Sequence, residues 1–221
     1  MKKVSTAGLP AILFLTACPV FAVALELPVT VTLEGTGEPI AGAVVSADTR
    51  SKPTPDNAEI YQKNRAFHPR VLVVPVGSSV DFPNRDNTQH HVYSFSPAKT
   101  FNIELYAGRP EAPIVFDQPG VVELGCNIHD QMQGFVVVSD TPAVGTTNDA
   151  GQVTLSLEPS PNSESPGRIR LEIWHPRLPD NTRPITREVT TDAPASISLS
   201  LIPEAPAESS LDLLQQRFRE L

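Results

Sequence analysis

One short segment of the sequence carries three metal-binding side chains at regular spacing. Cys126, His129 and Met132 stand at relative positions 0, +3 and +6, within residues 125–134. Thiolate and imidazole are strong ligands for zinc and for copper, whereas a thioether sulfur is a ligand that copper prefers. The segment therefore predicts a copper site. It lacks a second histidine, which must come from elsewhere in the chain.

Two adjacent histidines, His90 and His91, offer that ligand from an upstream segment. They follow a predicted strand that ends at Phe82 and stand at the beginning of the next one. In a small β-sandwich the ends of neighbouring strands meet at one pole, so a histidine there can reach the loop that contains Cys126. Two imidazoles and one thiolate in a plane, with a distant axial methionine, describe a blue-copper electron-transfer centre.

The same residues carry a resemblance to a known family. The run from Phe67 to Asn84, followed by the histidine segment and the Cys–His–Met loop, resembles a plastocyanin/azurin-type cupredoxin. The two-residue gaps within the Cys–His–Met loop are most similar to those of amicyanin. The resemblance covers about residues 60–140, and the whole arrangement is also similar to exported bacterial proteins of the methylamine-utilisation type.

This resemblance implies a Greek-key β-sandwich and one mononuclear type 1 copper site. The family pattern Asn-x-Asp-x-x-x-His-x-Val fits residues 84–92 and assigns the upstream ligand role to His90. The implied ligands are therefore His90, Cys126, His129 and Met132. His91 stays an alternative to His90, because most cupredoxins have Asn or Thr at that position, and Gln89 replaces a frequent proline.

We interpret the carboxylates and histidines outside the predicted copper site as residues without a catalytic role. Four carboxylates could be mistaken for an acid–base set, and we interpret them as solvated loop or strand-face groups: Asp81, Asp86, Glu123 and Asp130. His68 and His175 are interpreted as surface or structural residues. A Cys–His pair without an oxyanion-hole signal gives little support for a thiol nucleophile. We therefore expect no enzymatic activity.

The N-terminus predicts export. Residues 1–24 combine a basic head, an apolar stretch and small residues at positions 22 and 24, which is the arrangement of a secretory signal peptide. The segment from Leu15 to Cys18 also resembles a bacterial lipobox. Lipidation of Cys18 is therefore the alternative to cleavage after the signal peptide, and we expect contact with a membrane only in that case. We expect a periplasmic protein. Without residues 1–24 the chain keeps one cysteine, Cys126, in an oxidising compartment, where a thiolate held by a metal is one explanation.

Strand-like segments dominate the chain, and 23 prolines disfavour long helices. The sequence predicts an all-β protein with a cupredoxin domain over residues 60–140. Residues 27–50 and 141–203 resemble the two parts of a carboxypeptidase-regulatory-like (transthyretin-like) β-sandwich, which predicts a second sandwich interrupted by the copper domain. Residues 49–66 are interpreted as a connection. An amphipathic helix is predicted over 209–221.

Charge and composition narrow the function further. A net charge of −8 disfavours nucleic acid as a partner. The sequence as a whole predicts a periplasmic protein that carries single electrons between redox partners, such as a dehydrogenase or a c-type cytochrome. The alternative is a module that binds or delivers copper, or an envelope binding module, without an electron-transfer role.

Overall fold

The computed structural model describes residues 24–158 and 167–203, and within these ranges the chain forms strands and no helix. No helix in the described part is therefore long and apolar enough to cross a membrane. The predicted all-β class is confirmed. The helix predicted over 209–221 and nearly all of the predicted signal peptide lie outside the described residues.

The strands are numbered in chain order. They are β1 (Leu25–Leu33), β2 (Val44–Ala47), β3 (Asn57–Glu59), β4 (Tyr61–Lys63), β5 (Ala66–His68), β6 (Val71–Pro75), β7 (Ser78–Asp81), β8 (His90–Ser96), β9 (Lys99–Tyr106), β10 (Ile114–Phe116), β11 (Gly120–Gly125), β12 (Gln133–Ser139), β13 (Val144–Thr146), β14 (Gln152–Leu157), β15 (Arg168–Trp174), β16 (Ile185–Thr190) and β17 (Ala195–Leu199).

The central part of the chain forms two facing sheets. A five-stranded sheet has the order β6-β12-β11-β8-β9, and a three-stranded sheet has the order β10-β7-β3. Val122 and Leu124 of β11 point into a core that also receives Val80 of β7 and Phe116 of β10, and all four side chains are fully buried. Alternate residues of each strand enter this core, as the period of two requires.

The two ends of the described chain form a separate pair of sheets. One has the order β14-β1-β17 and the other β13-β2-β15-β16. Strand β1 pairs with β14 in antiparallel and with β17 in parallel orientation, while β2 pairs with β13 and β15. Strands that precede the central part thus pair with strands that follow it, which is the pairing an interrupted sandwich requires. The predicted domain boundaries stay a prediction.

A third apolar cluster joins the two pairs of sheets. Val121 and Phe135, on the outer face of the five-stranded sheet, pack with Val44, Trp174 and Leu178. The rings of Phe135 and Trp174 meet edge to face, with centroids 5.1 Å apart. We call the β1, β2 and β13–β17 unit the flanking sandwich; it covers the β6, β12 and β11 part of that outer face.

The interpretation of residues 49–66 as a plain connection is wrong, because β3, β4 and the beginning of β5 lie there. Strands of three residues are too short to show a period of two, which explains the failure. The turn between β4 and β5 has positive φ at Asn64 (54°) and Arg65 (57°), as in a two-residue type I′ hairpin. Arginine is not a residue that signals such a turn. Strands β10 and β13 were also not predicted, because each has only three residues.

The Phe135–Trp174 contact yields the first prediction. We expect Phe135→Ala to lower the free energy of unfolding by about 3–5 kcal/mol, because it leaves a cavity between the two pairs of sheets. The change is measured by denaturant unfolding, with Val115→Ala as the control, since Val115 is 45% exposed. A double-mutant cycle with Trp174→Ala should show a coupling of about 0.5–1.5 kcal/mol. Strict additivity would contradict the proposed packing.

Candidate metal centre

The loop between β11 and β12 positions three of the candidate ligands. β11 ends at Gly125 and β12 begins at Gln133, so residues 126–132 join two adjacent antiparallel strands. The Met132 amide donates a hydrogen bond to the His129 carbonyl (2.9 Å), which closes a tight turn. Cys126 and Met132 are buried in the same core cluster, at 4% and 2% exposure.

The fourth candidate, His90, is the first residue of β8 and is fully buried. Asn84 holds the loop that leads to it. Its amide nitrogen donates to the carbonyls of Thr88 (2.8 Å) and Tyr106 (3.0 Å), and its side-chain oxygen accepts from the Asp86 amide (2.9 Å). These hydrogen bonds fix the backbone on both sides of Asp86 and hold β8 in place against the end of β9.

Three of the predicted ligands meet in space. The Cys126 Sγ lies 4.0 Å from His90 Nδ1 and 3.8 Å from His129 Nδ1. The three ligand atoms lie within 4.8 Å of one another. For bonds of about 2.3 Å to sulfur and about 2.0 Å to nitrogen, the two S···N separations would correspond to roughly 124–137° at a central ion. Such angles are wider than tetrahedral and fit the trigonal His₂Cys arrangement of copper.

Asp86 orients His90 from outside the cluster. The Nε2 of His90 donates to Asp86 Oδ2 (2.8 Å), which leaves the lone pair of Nδ1 facing Cys126. The backbone amides of Asn64 and Arg65 also donate to this carboxylate, at 2.8 and 3.0 Å. Burial raises the pKa of Asp86, but these hydrogen bonds outweigh it and hold the pKa at about 2. An ionised carboxylate is the partner that a metal-binding histidine commonly has.

The interpretation of Asp86 as a solvated carboxylate is therefore wrong. Its side chain is only 11% exposed, and its backbone donors come from the β4–β5 turn, about twenty residues upstream. No local pattern in the sequence indicates that contact. The family pattern Asn-x-Asp-x-x-x-His was the one available signal, since it aligned Asp86 with the histidine four residues later.

His91 points away from the cluster. Consecutive strand residues face opposite sides of a sheet, so His91 lies on the outer face while His90 faces Cys126. The Nε2 of His91 lies 4.0 Å from Glu104 Oε2, and its buried Nδ1 has no hydrogen-bond partner among the described residues. Between the alternatives left open by the sequence, the geometry favours His90.

A buried polar pair supports the cluster from the side of β9. The β8–β9 register shifts between His90 and Val92, where β9 carries one extra residue, and this bulge turns Tyr106 toward the core. The Tyr106 hydroxyl donates to Gln62 Oε1 (2.8 Å) and also contacts the Phe82 carbonyl. Burial and the nearby Cys126 raise the pKa of Tyr106 to about 12, so this hydroxyl is neutral.

The other histidines and carboxylates considered in the sequence analysis lie outside the cluster. His68 stacks on Tyr61, with ring centroids 5.1 Å apart, and His175 is buried in the flanking sandwich. Asp130 is exposed. Glu123 accepts a hydrogen bond from Gln133 Nε2 (2.7 Å). In the part of the chain that the structure describes, one group of three or more His, Cys, Asp or Glu side chains is close enough to hold a metal ion. It consists of His90, Cys126 and His129.

His129 completes the cluster at its solvent side. Its side chain is partly exposed, whereas His90 and Cys126 are buried. Burial lowers the pKa of His129, and the positive charge of the nearby Arg65 lowers it further. Neutral imidazole is the form that binds a metal, so this environment favours ligation over protonation. The donor set and its separations fit a metal ion.

Comparison with known proteins identifies similar structures but no sequence family. The sequence matches no protein-family model, and no curated protein matches it. Similar solved structures include a purple cupredoxin from Nitrosopumilus maritimus, with 28% identity, 37% of this chain and 99% of that chain covered, and a TM-score of 0.33. A copper-containing nitrite reductase from Thermus scotoductus has 23% identity, covers 43% of this chain and 25% of its own, and gives a TM-score of 0.36.

Amicyanin is also among these similar structures. One reduced amicyanin variant has 18% identity, covers 43% of this chain and 98% of its own, and gives a TM-score of 0.35. All three likenesses concern less than half of the chain, and their TM-scores lie below 0.5. The assignment of a metal to this chain therefore depends on the side-chain geometry described above.

The Asp86 contact yields a prediction about metal affinity. We expect Asp86→Asn to weaken copper binding about 10–100-fold, because it removes the charge that orients His90. A competition titration with a chelator of known affinity measures the change. Asp130→Asn is the matched control, since Asp130 lies on the same loop as His129 but is exposed, and it should stay within about twofold of the parent. Equal affinities for the two variants would contradict the role of Asp86.

The two adjacent histidines allow a second test. His90→Gln removes a group that faces the sulfur, and we expect it to abolish the copper–thiolate absorption. His91→Gln changes the neighbouring residue on the opposite sheet face and should keep that absorption. Visible spectra of both copper-treated variants decide the point, with circular dichroism to check folding. The reverse pattern would assign the ligand role to His91.

Proposed function

We propose that this chain is an exported type 1 copper protein that transfers single electrons between redox partners. The observation that carries the proposal is the convergence of His90 Nδ1 and His129 Nδ1 on the buried Cys126 sulfur, at 4.0 and 3.8 Å. The family resemblance of the sequence supports the same assignment. Met132, buried in the same core cluster as Cys126, is the proposed weak axial ligand.

The donor set favours copper over zinc. A structural zinc site has four nitrogen, oxygen or thiolate ligands, and the cluster supplies three. Asp130 on the same loop is exposed, whereas Met132 is buried in the same core cluster as Cys126, and its thioether is a donor that suits copper. Copper, when bound, supplies a one-electron couple between its cupric and cuprous states.

The burial of the ligands supports electron transfer over catalysis. His90, Cys126 and Met132 are at most 4% exposed, so a substrate has no room to approach the metal from their side. An electron needs no such access. His129 is the partly exposed ligand, and Ile128 beside it is 48% exposed, so this edge offers a small apolar contact for a partner.

The chain's own residues would keep the site rigid. Asp86 holds the His90 ring, Asn84 holds the loop before it, and the Met132–His129 hydrogen bond closes the second ligand loop. When the ligands keep their positions in both oxidation states of the metal, electron transfer requires little movement of the protein. We place the protein in the periplasm, with a dehydrogenase or a c-type cytochrome as partner, on the basis of the N-terminal sequence and the single cysteine that follows it.

Copper loading tests the proposal. We expect the mature chain to take up one cupric ion per molecule and to develop an intense visible band, from charge transfer between the Cys126 thiolate and copper. Cys126→Ser should abolish the band. Met132→Leu, which keeps the side-chain volume, should keep the colour and change the reduction potential.

Absorption, paramagnetic resonance and metal analysis of the parent and both variants measure these outcomes. A colourless cupric complex, or binding of cuprous ion alone, would contradict the electron-transfer role and favour copper storage or delivery. Tight zinc binding without any copper-dependent colour would contradict the copper assignment itself.

A further inference from the structure

A cleft lies beside the apolar cluster that joins the two pairs of sheets. Its lining comes from both sides, since Val44 and Trp174 belong to the flanking sandwich and Val121 and Val137 to the five-stranded sheet. Val144 of β13 lines it as well, and the side chains of Val137 and Val144 are only half-buried. The described residues therefore leave apolar walls of this joint incompletely covered.

Two acidic residues stand at the exposed border of the cleft. Glu172 of β15 is exposed, and its cross-strand neighbours Ser46 and Thr186 carry no charge. Asp140 lies 3.7 Å from Lys52, and both of these side chains are more than half exposed, so the pair is weak. The cleft thus suits an occupant that combines apolar side chains with positive charge.

The last described residues of the chain lie next to the same cluster. Leu201 packs against it. Ile202 is fixed to the turn after β15, because its amide donates to the Arg177 carbonyl (2.8 Å) and its carbonyl accepts from the Arg177 Nε (2.8 Å). Leu178 in that turn belongs to the cluster. The residues that follow position 203 therefore begin beside the cluster that supplies Val44, Val121 and Trp174 to the cleft.

The sequence of this C-terminal segment is complementary to the cleft. The helix predicted over 209–221 places its apolar residues on one face, and Arg217 borders that face. A helix of this length is marginal in water unless its apolar face is buried. Residues 204–208 precede it, and an extended chain of that length spans up to about 17 Å. The segment can therefore reach the cleft and needs a surface of this kind.

We propose that residues 209–221 place their apolar face in this cleft, with Arg217 toward Glu172, and so hold the flanking sandwich against the five-stranded sheet. The occupant is the chain's own segment because a short tether gives it an effective concentration in the millimolar range, which a free partner seldom reaches. The inference concerns the joint between the two pairs of sheets and does not depend on metal binding.

Nuclear magnetic resonance of the metal-free mature chain tests this placement. Leu214→Ser and Phe218→Ser each change the apolar face, and we expect both to shift the backbone amides of Val137 and Val144. Leu213→Ser is the matched control, because it makes the same exchange one position earlier and on another side of the predicted helix. It should leave those amides unchanged. Equal effects of Leu213→Ser and Leu214→Ser, or no shift in the cleft, would overturn the proposal.

A charge exchange tests the orientation of the segment. Glu172→Lys and Arg217→Glu should each speed amide hydrogen exchange within residues 209–221 by about two- to fivefold, as expected for an exposed ion pair. The double variant restores the attraction and should return the parental rate. Glu26→Lys is the control, since Glu26 is exposed on β1, in the other sheet of the flanking sandwich. A double variant that exchanges as fast as the single variants would overturn the proposal.

Light scattering distinguishes the chain's own segment from that of a second copy. We expect a monomer over a hundredfold range of concentration, in the parent and in Leu214→Ser alike. A dimer that Leu214→Ser dissociates and Leu213→Ser does not would overturn the proposal, because the cleft would then hold the segment of a second copy.

Discussion

A buried sulfur atom faced by two imidazole nitrogens is the constraint on which the rest of this structure depends. A thiolate in a low-dielectric core is unstable unless a cation compensates its charge. Cys126 is 4% exposed, and its partners offer lone pairs, since the Nε2 proton of His90 is committed to Asp86. The cluster therefore directs three donor atoms toward one point, and a metal ion held there would supply the positive charge that a buried thiolate needs.

The supporting residues come from parts of the chain that carry no ligand. The β4–β5 turn supplies two amides to Asp86, and Gln62 of β4 meets the Tyr106 hydroxyl beneath the cluster. The two amides hold the carboxylate that in turn accepts from the Nε2 of His90. In metal sites, hydrogen-bond partners of this kind fix the ring orientation and the tautomer of the histidine ligand.

The features that could be predicted from the sequence are those that depend on residues close together in the chain. Cys126, His129 and Met132 stand on one loop, so their spacing was visible, and longer strands such as β15 showed a clear period of two. The choice between His90 and His91 depends on strand phase, which only the pairing of β8 with β9 and β11 settles. The role of Asp86 was not visible, because its partners lie about twenty residues away in three-residue strands. The predicted pole of the sandwich was correct for His90, Cys126 and His129 because adjacent antiparallel strands bring their ends together.

The interrupted pairing of the flanking sandwich has a consequence for access to the metal centre. Because β1 and β2 pair with strands that follow the central part, the flanking sandwich is tied to both ends of it and packs on one side of the five-stranded sheet. The Phe135–Trp174 contact fixes that side as the covered one. Among the described residues, the His129 edge at the pole and the outer face of β8 and β9 take no part in that packing. The same packing that stabilises the chain thus limits which surfaces a partner protein can reach.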